Sequence, residues 1–491
     1  MSTATLELNH LINGKWVTGG GDTASSVNPA DPSEVVGTYA TATTAELDAA
    51  LTAAGDAGAA WDRLGVLARG KILRTAAGLL EDRTEDIAVL MSREEGKIVA
   101  DARAEIGGTV ETLYYHAGAA RRPTGVTYPS ANADELVRSV RRPVGVIGVI
   151  TPWNFPVQIP AWKIAPALMW GNTVVWKTAS DTPAVAVALA EVFADAGVPD
   201  GVLNLLLGPG SLGAELVADP RVNAVTFTGS VPVGHRIRDA VIGRGARLQM
   251  ELGGHNPAVV LPDADIPAAA AFITAAAMGS TGQKCTATRR VIAVGSAYDP
   301  LRDALIEKVA ALRVGPGLKD GVEIGPLVSD RARGEVADAI DQAVQQGAAV
   351  LAQADLPSDA SGAYVAPTLL EGDSSLSIAS EEVFGPVTLL MRAADLDAAI
   401  ELANSTEFGL TASVFTRDEV VVRRCLDEID AGLIKINGPS TGSEVHAPFG
   451  GVKQSSFPAP REQGSDAVAE FFSVLKTAYV RALPNQIGSD R

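Results

Sequence analysis

The chain has very little cysteine: only Cys285 and Cys425 among 491 residues. A secreted fold held together by disulfides carries more cysteine in a shorter chain, so we expect two free thiols in a reducing compartment. The five histidines are scattered, and none has the spacing of a zinc site. The sequence therefore predicts no metal centre.

Basic residues are also scarce. Lysine and arginine number 40 against 58 aspartates and glutamates, which gives a formal net charge of −18. A net-acidic chain has no general attraction for nucleic acid or for an anionic membrane. No apolar run reaches the roughly 18 residues of a membrane span, and the N-terminus lacks the basic and apolar regions of a secretory signal. These absences predict a cytoplasmic protein that binds neither nucleic acid nor a membrane, and they leave the question of a small substrate open.

The chain is long enough for two or three domains, and one region indicates their class. Between residues 143 and 250, apolar runs at 144–150, 173–176, 202–206, 224–227 and 247–250 alternate with helical patterns at 161–169, 183–196, 211–218 and 232–241. Runs that do not alternate in polarity suit strands covered on both faces. We therefore predict an α/β fold with a parallel sheet between helices.

A second α/β pattern follows this region. It consists of a strand at 258–261, a buried helix at 266–278, a polar loop at 280–285, a strand at 291–294 and further units to about residue 436. Strands predicted at 136–142 and 471–480 fit neither sheet. Paired with each other, they would leave an exposed edge that a second subunit can join.

Polar or small residues follow the strands of the first sheet, where parallel sheets bind ligands. Asn154 is suited to donate a hydrogen bond to an oxyanion, and an ordinary turn asparagine fits as well. Glu251 precedes two glycines and is either a ligand-facing carboxylate or a helix-cap or surface acid. Gly229-Ser230, with Gly234 inside the next helix, forms a turn suited to a phosphate.

Cys285 is the sharpest chemical candidate, because it lies in a glycine-containing polar loop between a helix and a strand. A catalytic thiol and a thiol buried for packing alone are equally compatible with that position. Cys425 lies in a helical segment without such a loop, which favours a packed or partly exposed thiol.

Several segments that contain these candidates resemble the aldehyde dehydrogenase superfamily, in its order and spacing. They are Pro152-Trp-Asn-Phe-Pro156, Trp176-Lys-Thr-Ala-Ser180, Phe227-Thr-Gly-Ser230, Glu251-Leu-Gly-Gly-His-Asn-Pro257, Gly282-Gln-Lys-Cys285, Glu382-Val-Phe-Gly-Pro386 and Pro448-Phe-Gly-Gly-Val-Lys453. The resemblance implies a Rossmann-like cofactor domain (1–123 and 143–252), an α/β catalytic domain (253–456) and a β element (124–142 and 457–491) that joins dimers or tetramers.

The resemblance also implies a mechanism. Cys285 would add to the aldehyde carbon, and the Asn154 amide with the backbone N–H of Cys285 would stabilise the oxyanion. The intermediate would pass hydride to a nicotinamide and leave a thioester, for whose hydrolysis Glu251 would activate water. Enzymes of the family that transfer the acyl group to CoA generally lack a glutamate at that position, so its presence favours hydrolysis. A fold that has lost its chemistry is the remaining alternative, and the three intact residues oppose it.

The family's cofactor residues carry over as well. Lys177 would bind the adenosine ribose, Ser230 and Trp153 would lie along the pyrophosphate near Gly229 and Gly234, Glu382 would bind the nicotinamide ribose, and Phe384 would pack beside the nicotinamide. Members that prefer NAD often carry glutamate where this chain has Ser180. Serine does not repel a 2′-phosphate. We therefore predict that NADP+ is accepted, and a preference for NADP+ over NAD+ is compatible with this position.

The substrate is indicated by segments 159–164, 282–288 and 445–456 with Pro460–Gly464, which resemble the 2,5-dioxopentanoate (α-ketoglutaric semialdehyde) dehydrogenase branch. Succinic semialdehyde enzymes bind a carboxylate with arginines where this chain has Gly279 and Trp162, so that substrate is disfavoured unless another cation, such as Arg289, serves. Trp162 and Met169 are alternatively suited to line a pocket for an aromatic or aliphatic aldehyde, or simply to pack their helix.

Overall fold

The computed structural model describes residues 4–358, 361–458 and 465–481. The chain begins with five strands and four helices, which are β1 (Leu6–Glu7), β2 (His10–Ile12), β3 (Lys15–Val17), β4 (Thr23–Asn28), β5 (Asp31–Ala40), α1 (Thr44–Leu64), α2 (Val66–Asp82), α3 (Thr84–Glu95) and α4 (Val99–Ala119). Helix α1 starts at a capping box, in which the Thr43 side chain accepts from the first turn and the Glu46 carboxylate accepts from the Thr43 N–H. It ends at Gly65, whose φ of +85° suits glycine.

The next third of the chain alternates strands and helices. Its elements are β6 (Thr127–Tyr128), β7 (Glu135–Pro143), β8 (Val146–Ile150), α5 (Gln158–Met169), β9 (Thr173–Lys177), α6 (Pro183–Asp195), β10 (Leu203–Leu206), α7 (Gly210–Ala218), β11 (Val222–Thr228), α8 (Val231–Ile242) and β12 (Arg247–Glu251). The five strands and four helices predicted between residues 143 and 250 are thereby confirmed, with bounds that differ by a few residues.

The last part repeats the alternation. Its elements are β13 (Asn256–Val260), α9 (Ile266–Met278), β14 (Thr288–Val294), α10 (Tyr298–Ala310), α11 (Asp330–Gln345), β15 (Ala349–Gln353), β16 (Thr368–Glu371), β17 (Val387–Ala393), α12 (Leu396–Asn404), β18 (Phe408–Gly409), β19 (Thr411–Phe415), α13 (Glu419–Glu428), β20 (Leu433–Ile436), β21 (Val452–Lys453), β22 (Ser456–Phe457), α14 (Ser465–Phe472) and β23 (Ser473–Arg481).

Two large sheets organise these elements. The first has the strand order β22-β12-β11-β8-β9-β10-β2-β3, and its five predicted strands are parallel. The second has the order β15-β16-β17-β14-β13-β19-β20 and is parallel except for β15. Strand β9 is buried along its whole length, as the continuous apolar run predicts. The first sheet therefore presents the carboxyl ends of parallel strands, where Asn154 and Glu251 lie, while Cys285 and Glu382 precede β14 and β17 of the second sheet.

A smaller sheet has the order β23-β7-β6, and it confirms that the two leftover strands pair with each other. Within the described residues, β23 pairs with β7 alone. Segment Pro460–Gly464 and residues 482–491 lie outside the described residues, so the domain bounds stay a prediction. In the described part of the chain, no helix has both the length and the apolar character needed to cross a bilayer.

Candidate active site

Cys285 lies in a tightly held segment between α9 and β14, residues 279–287, which we call the nucleophile loop. Ser280 and Thr281 have φ of +51° and +57°, a region that a β-branched residue rarely adopts. The Asp101 carboxylate compensates by accepting bonds from the Ser280 N–H (3.1 Å) and hydroxyl (2.7 Å). At Gly282 a Cβ would lie 2.0 Å from the Gly385 carbonyl oxygen, so the close approach requires glycine. The loop therefore holds one unusual conformation.

The side chain of Cys285 is partly buried and packs against an apolar cluster. The members of this cluster are Phe155, Ile159, Trp162, Leu410, Leu433 and Phe449. Cys425 differs from Cys285, because it is fully buried in the core and burial raises the pKa of its thiol to about 11. Its position agrees with the interpretation of a packed thiol.

The Asn154 side chain reaches the nucleophile loop from the end of β8. It is buried, and its Nδ2 donates to the carbonyl oxygen of Gln283 at 2.9 Å, two residues before Cys285. A side-chain amide held against this loop is a donor of the kind that can stabilise an oxyanion.

Glu251 is the last residue of β12, and its carboxyl is buried. The Ser456 hydroxyl donates to Glu251 Oε2 at 2.5 Å and accepts from the N–H of Gly451 at 2.6 Å, which fixes the direction of its proton. Beyond Glu251 the backbone meets the nucleophile loop at Gly254, where a Cβ would lie 2.4 Å from the Cys285 carbonyl oxygen. The two glycines are thus explained by a close backbone contact. Sequence reasoning missed Ser456, since β22 is only two residues long.

A cleft of about 970 Å³ opens beside these residues and has the size expected for a large ligand. Seven of the predicted cofactor residues line it: Trp153, Lys177, Ser180, Gly229, Ser230, Glu382 and Phe384. The N-terminus of α8 faces the cleft through Ser230, whose side chain makes no capping bond, so this terminus fits a pyrophosphate. Gly234 is not among the residues that line the cleft. A Cβ at this position would lie 2.6 Å from Leu252, so glycine allows α8 to pack closely against that residue.

The end of the cleft near Lys177 contains a positive and a negative side chain. Burial lowers the pKa of Lys177 to about 8, and the neighbouring Asp181 opposes that shift. Burial also raises the pKa of Asp181, against Arg331 and Lys177. Ser180 donates its hydroxyl to the Gly208 carbonyl at 3.1 Å. Sequence reasoning did not single out Asp181, although it follows Ser180 directly at a strand exit.

The end of the cleft near Glu382 is linked to the nucleophile loop through Gly254. Glu382 Oε1 accepts from the N–H of Gly254 at 3.0 Å. Burial raises the pKa of Glu382, while Arg289 and the Gly254 N–H oppose this. The rings of Trp153 and Phe384 make an edge-to-face contact at 5.7 Å. Glu382 and Phe384 therefore lie in a segment that packs against the nucleophile loop.

The orientation of the Arg289 side chain could not be predicted from the sequence. In the structure it joins the nucleophile loop to the segment that contains Glu382 and Phe384. Its Nη1 donates to the Gly385 carbonyl at 2.8 Å and its Nη2 to the Gly282 carbonyl at 2.6 Å. Burial lowers its pKa to about 10, and Glu382 and Cys285 oppose this shift. The guanidinium therefore stays charged at neutral pH and interacts electrostatically with the Cys285 side chain. These backbone contacts direct Arg289 away from a role as the carboxylate partner of a substrate.

The two predicted pocket residues have different positions. Trp162 belongs to the apolar cluster around Cys285 and contacts Phe449, with the ring centroids 5.1 Å apart. Met169 is fully buried in the core of the first sheet, so its prediction as a pocket residue is wrong. The two residues share one face of α5, but seven residues place them about 10 Å apart along the helix axis.

The sequence predicts no metal centre anywhere in the chain. The described residues contain no group of three or more potential ligands among histidine, cysteine, aspartate and glutamate that could hold a metal ion.

Comparison with known proteins agrees with this geometry. The model of the aldehyde dehydrogenase family matches residues 16–477. The alpha-ketoglutaric semialdehyde dehydrogenase of Bacillus subtilis is 42% identical over 489 residues, covering 98% of this chain and 100% of that protein. Among solved structures, an E. coli NADP dependent enzyme is similar with a TM-score of 0.92 and 34% identity, over 97% of this chain and 98% of that one.

A third similar protein is the betaine aldehyde dehydrogenase of Staphylococcus aureus, solved in complex with NAD+. It has a TM-score of 0.93 and 30% identity, over 99% of this chain and 97% of that one. The fold therefore agrees with these solved structures over nearly the whole chain. The chain therefore belongs to the aldehyde dehydrogenase family and is an NAD(P)-dependent aldehyde dehydrogenase.

Proposed function

We propose that the protein oxidises 2,5-dioxopentanoate to the dicarboxylic acid, with Cys285 as nucleophile, Asn154 as oxyanion donor and Glu251 as general base. The observation that carries this proposal is the convergence of two strand exits, those of β8 and β12, on the loop that contains Cys285. Asn154 bonds to that loop, and the backbone beyond Glu251 touches it at Gly254.

The chemistry follows from the positions of these groups. The Cys285 thiolate adds to the aldehyde carbon. The Asn154 amide and the Cys285 backbone N–H stabilise the oxyanion, and one such donor typically contributes about 2.7–4 kcal/mol. A nicotinamide bound in the cleft supplies the hydride acceptor. The thioester left on Cys285 is hydrolysed by water that Glu251 deprotonates, so the acid is the product and CoA is not required.

Two features support the choice of aldehyde. The similar Bacillus subtilis protein has the same substrate class in its name. Gly279 and Trp162 occupy the positions at which succinic semialdehyde enzymes carry arginine, so a substrate carboxylate, which 2,5-dioxopentanoate also has, needs a donor other than arginine there. The buried indole N–H of Trp162 has no hydrogen-bond partner in the described part of the chain, so it is a free donor for a keto or carboxylate oxygen.

The apolar walls around Cys285 make an aromatic or aliphatic aldehyde the second candidate. We expect kcat/KM for 2,5-dioxopentanoate to exceed that for succinic semialdehyde by at least about tenfold, which corresponds to one missing contact of about 1.4 kcal/mol. A panel of these two substrates with benzaldehyde and short aliphatic aldehydes checks this. A higher kcat/KM for any other aldehyde would overturn the substrate assignment and leave the reaction type intact.

We further propose that NADP+ is accepted and is preferred over NAD+, because Ser180 lines the cleft without a charge. Replacing it in Ser180→Glu is expected to lower kcat/KM for NADP+ by about tenfold or more, since the new carboxylate repels the 2′-phosphate. Activity with NAD+ changes less. The matched control is Ser180→Gln, which has the same size without charge and keeps NADP+ activity. Complete exclusion of NADP+ by the unmodified enzyme would contradict the assignment, as would equal losses in the two variants.

We also propose a cytoplasmic homodimer or homotetramer. The small sheet supports this assembly, because Leu136, Leu475, Tyr479 and Val480 are exposed along its two paired strands. A second copy of the sheet would cover these apolar side chains.

A further inference from the structure

A buried ion pair lies directly behind the turn that carries Asn154. Lys97, in the connection between α3 and α4, is only 1% exposed. Its Nζ donates to Glu105 Oε2 at 2.7 Å and to the carbonyl oxygen of Asn154 at 2.7 Å. The same ammonium lies over the ring of Phe155, 4.5 Å from its centroid. Three of its neighbours are therefore the Asn154 carbonyl, the following aromatic ring and one carboxylate.

The partner of Lys97 holds the other end of the same turn. Glu105 Oε1 accepts from the N–H groups of Val157 and Gln158, at 2.9 and 3.1 Å, where α5 begins. The Lys97–Glu105 pair thus contacts the backbone at residue 154 and at residues 157–158. The Asn154 side chain leaves this turn on the other side and donates to Gln283 of the nucleophile loop.

Further charges surround the pair. Glu95 Oε2 lies 3.9 Å from Lys97 Nζ, and Asp101, from the same helix as Glu105, holds Ser280 of the nucleophile loop. Lys284, next to the nucleophile, interacts with these acids. Such a cluster costs desolvation energy, and buried ion pairs are weak evidence for stability. Their attested use is to specify one geometry, and here they contact both the turn and the loop.

We propose that Lys97 is a positioning residue for catalysis: through the Asn154 carbonyl it fixes the turn so that the Asn154 amide stays within reach of the oxyanion. This inference rests on the proposed role of Asn154. Lys97 does not touch the reacting atoms. A shift of about 1 Å in the amide is enough to cost up to about a hundredfold in rate.

The test is a cycle of variants that joins Lys97 to Asn154. The double change Lys97→Met with Glu105→Gln removes one cation and one anion, so the charge of the cluster is unchanged, and glutamine still accepts from the backbone. The measurement is the rate constant for formation of reduced cofactor in the first turnover, normalised to the titrated thiol. The dissociation constant of NADP+ is measured in parallel. We expect the double change to slow the first turnover at least about tenfold, with the NADP+ dissociation constant within about twofold.

In the Asn154→Ala background the same double change is expected to slow the first turnover less than about twofold, because the amide that it misplaces is already gone. Equal slowing in both backgrounds would overturn the proposal, as would no slowing in either, since a purely structural role changes thermal stability without this dependence. If the double variant does not fold, Lys97→Arg provides the same comparison, because its larger head displaces the Asn154 carbonyl while the charge remains. Asn154→Ala with an unchanged first turnover would instead refute the oxyanion role in the proposed function.

Discussion

Cys285→Ala is expected to abolish aldehyde-dependent reduction of the cofactor. No other thiol can replace Cys285, because Cys425 is fully buried in the core and burial raises its pKa to about 11. The loss should be confined to chemistry, since the cofactor cleft is lined by other residues and stays intact. The absorbance of reduced cofactor measures turnover, and quenching of tryptophan fluorescence by NADP+ measures binding.

The matched control is Cys425→Ala, which removes the other thiol. This change creates a small cavity in the core of the second sheet. It lowers the free energy of unfolding modestly, by about 1–2 kcal/mol, without changing kcat. Residual turnover in Cys285→Ala with any aldehyde of the panel would refute the nucleophile assignment. Loss of activity in a folded Cys425→Ala protein would indicate that Cys425, and not Cys285, is the nucleophile.

Glu251→Gln is expected to separate the two halves of the reaction. Glutamine has nearly the same shape and still accepts the Ser456 hydrogen bond, so thioester formation continues and one equivalent of reduced cofactor appears rapidly. Hydrolysis then stalls, because the amide does not accept a proton from water. General-base catalysis typically contributes about 10²–10⁴-fold, so the steady rate should fall by that factor after the burst. Stopped-flow absorbance resolves both phases.

Hydroxylamine gives this prediction its control when it is added after the burst and after removal of free aldehyde, with which it would otherwise condense to the oxime. This strong external nucleophile cleaves the thioester without a base, so it should free the Cys285 thiol of Glu251→Gln and yield the hydroxamate. CoA should not free the thiol, which separates hydrolysis from acyl transfer to CoA. Steady turnover at the unmodified rate, with no burst, would count against Glu251 as the base.

The regular parts of the fold follow from local patterns in the sequence. Strand β9 is a continuous apolar run because helices cover both of its faces, and that signal is visible without a structure. Strands β2, β3 and β22 could not be predicted in this way. Each has only two or three residues, and long-range contacts hold them in place, such as the bond from the Leu207 N–H to His10 Nδ1 at 3.1 Å.

The same division applies to the site. Cys285, Asn154 and Glu251 lie in motifs that the sequence shows directly. Asn154 and Glu251 follow parallel strands that end at one edge of the first sheet, whereas Cys285 precedes β14 of the second sheet, so its approach to them depends on how the two sheets pack. Ser456 and Lys97 give no local signal, because each acts on a residue far along the chain: the contacts join Ser456 to Glu251 and Lys97 to Asn154. Met169 was assigned wrongly, because helical periodicity gives the face of a residue and not its position along the axis.

Peptide mass spectrometry of Glu251→Gln, quenched in acid after mixing with 2,5-dioxopentanoate and NADP+, tests the central claim most directly. The account requires that the peptide containing Cys285 gains the mass of the aldehyde less one hydride and one proton, with one adduct for each reduced cofactor. Reduced cofactor in the burst without any adduct on that cysteine, or an adduct at another residue, would show that oxidation does not proceed through an acyl group on this sulfur.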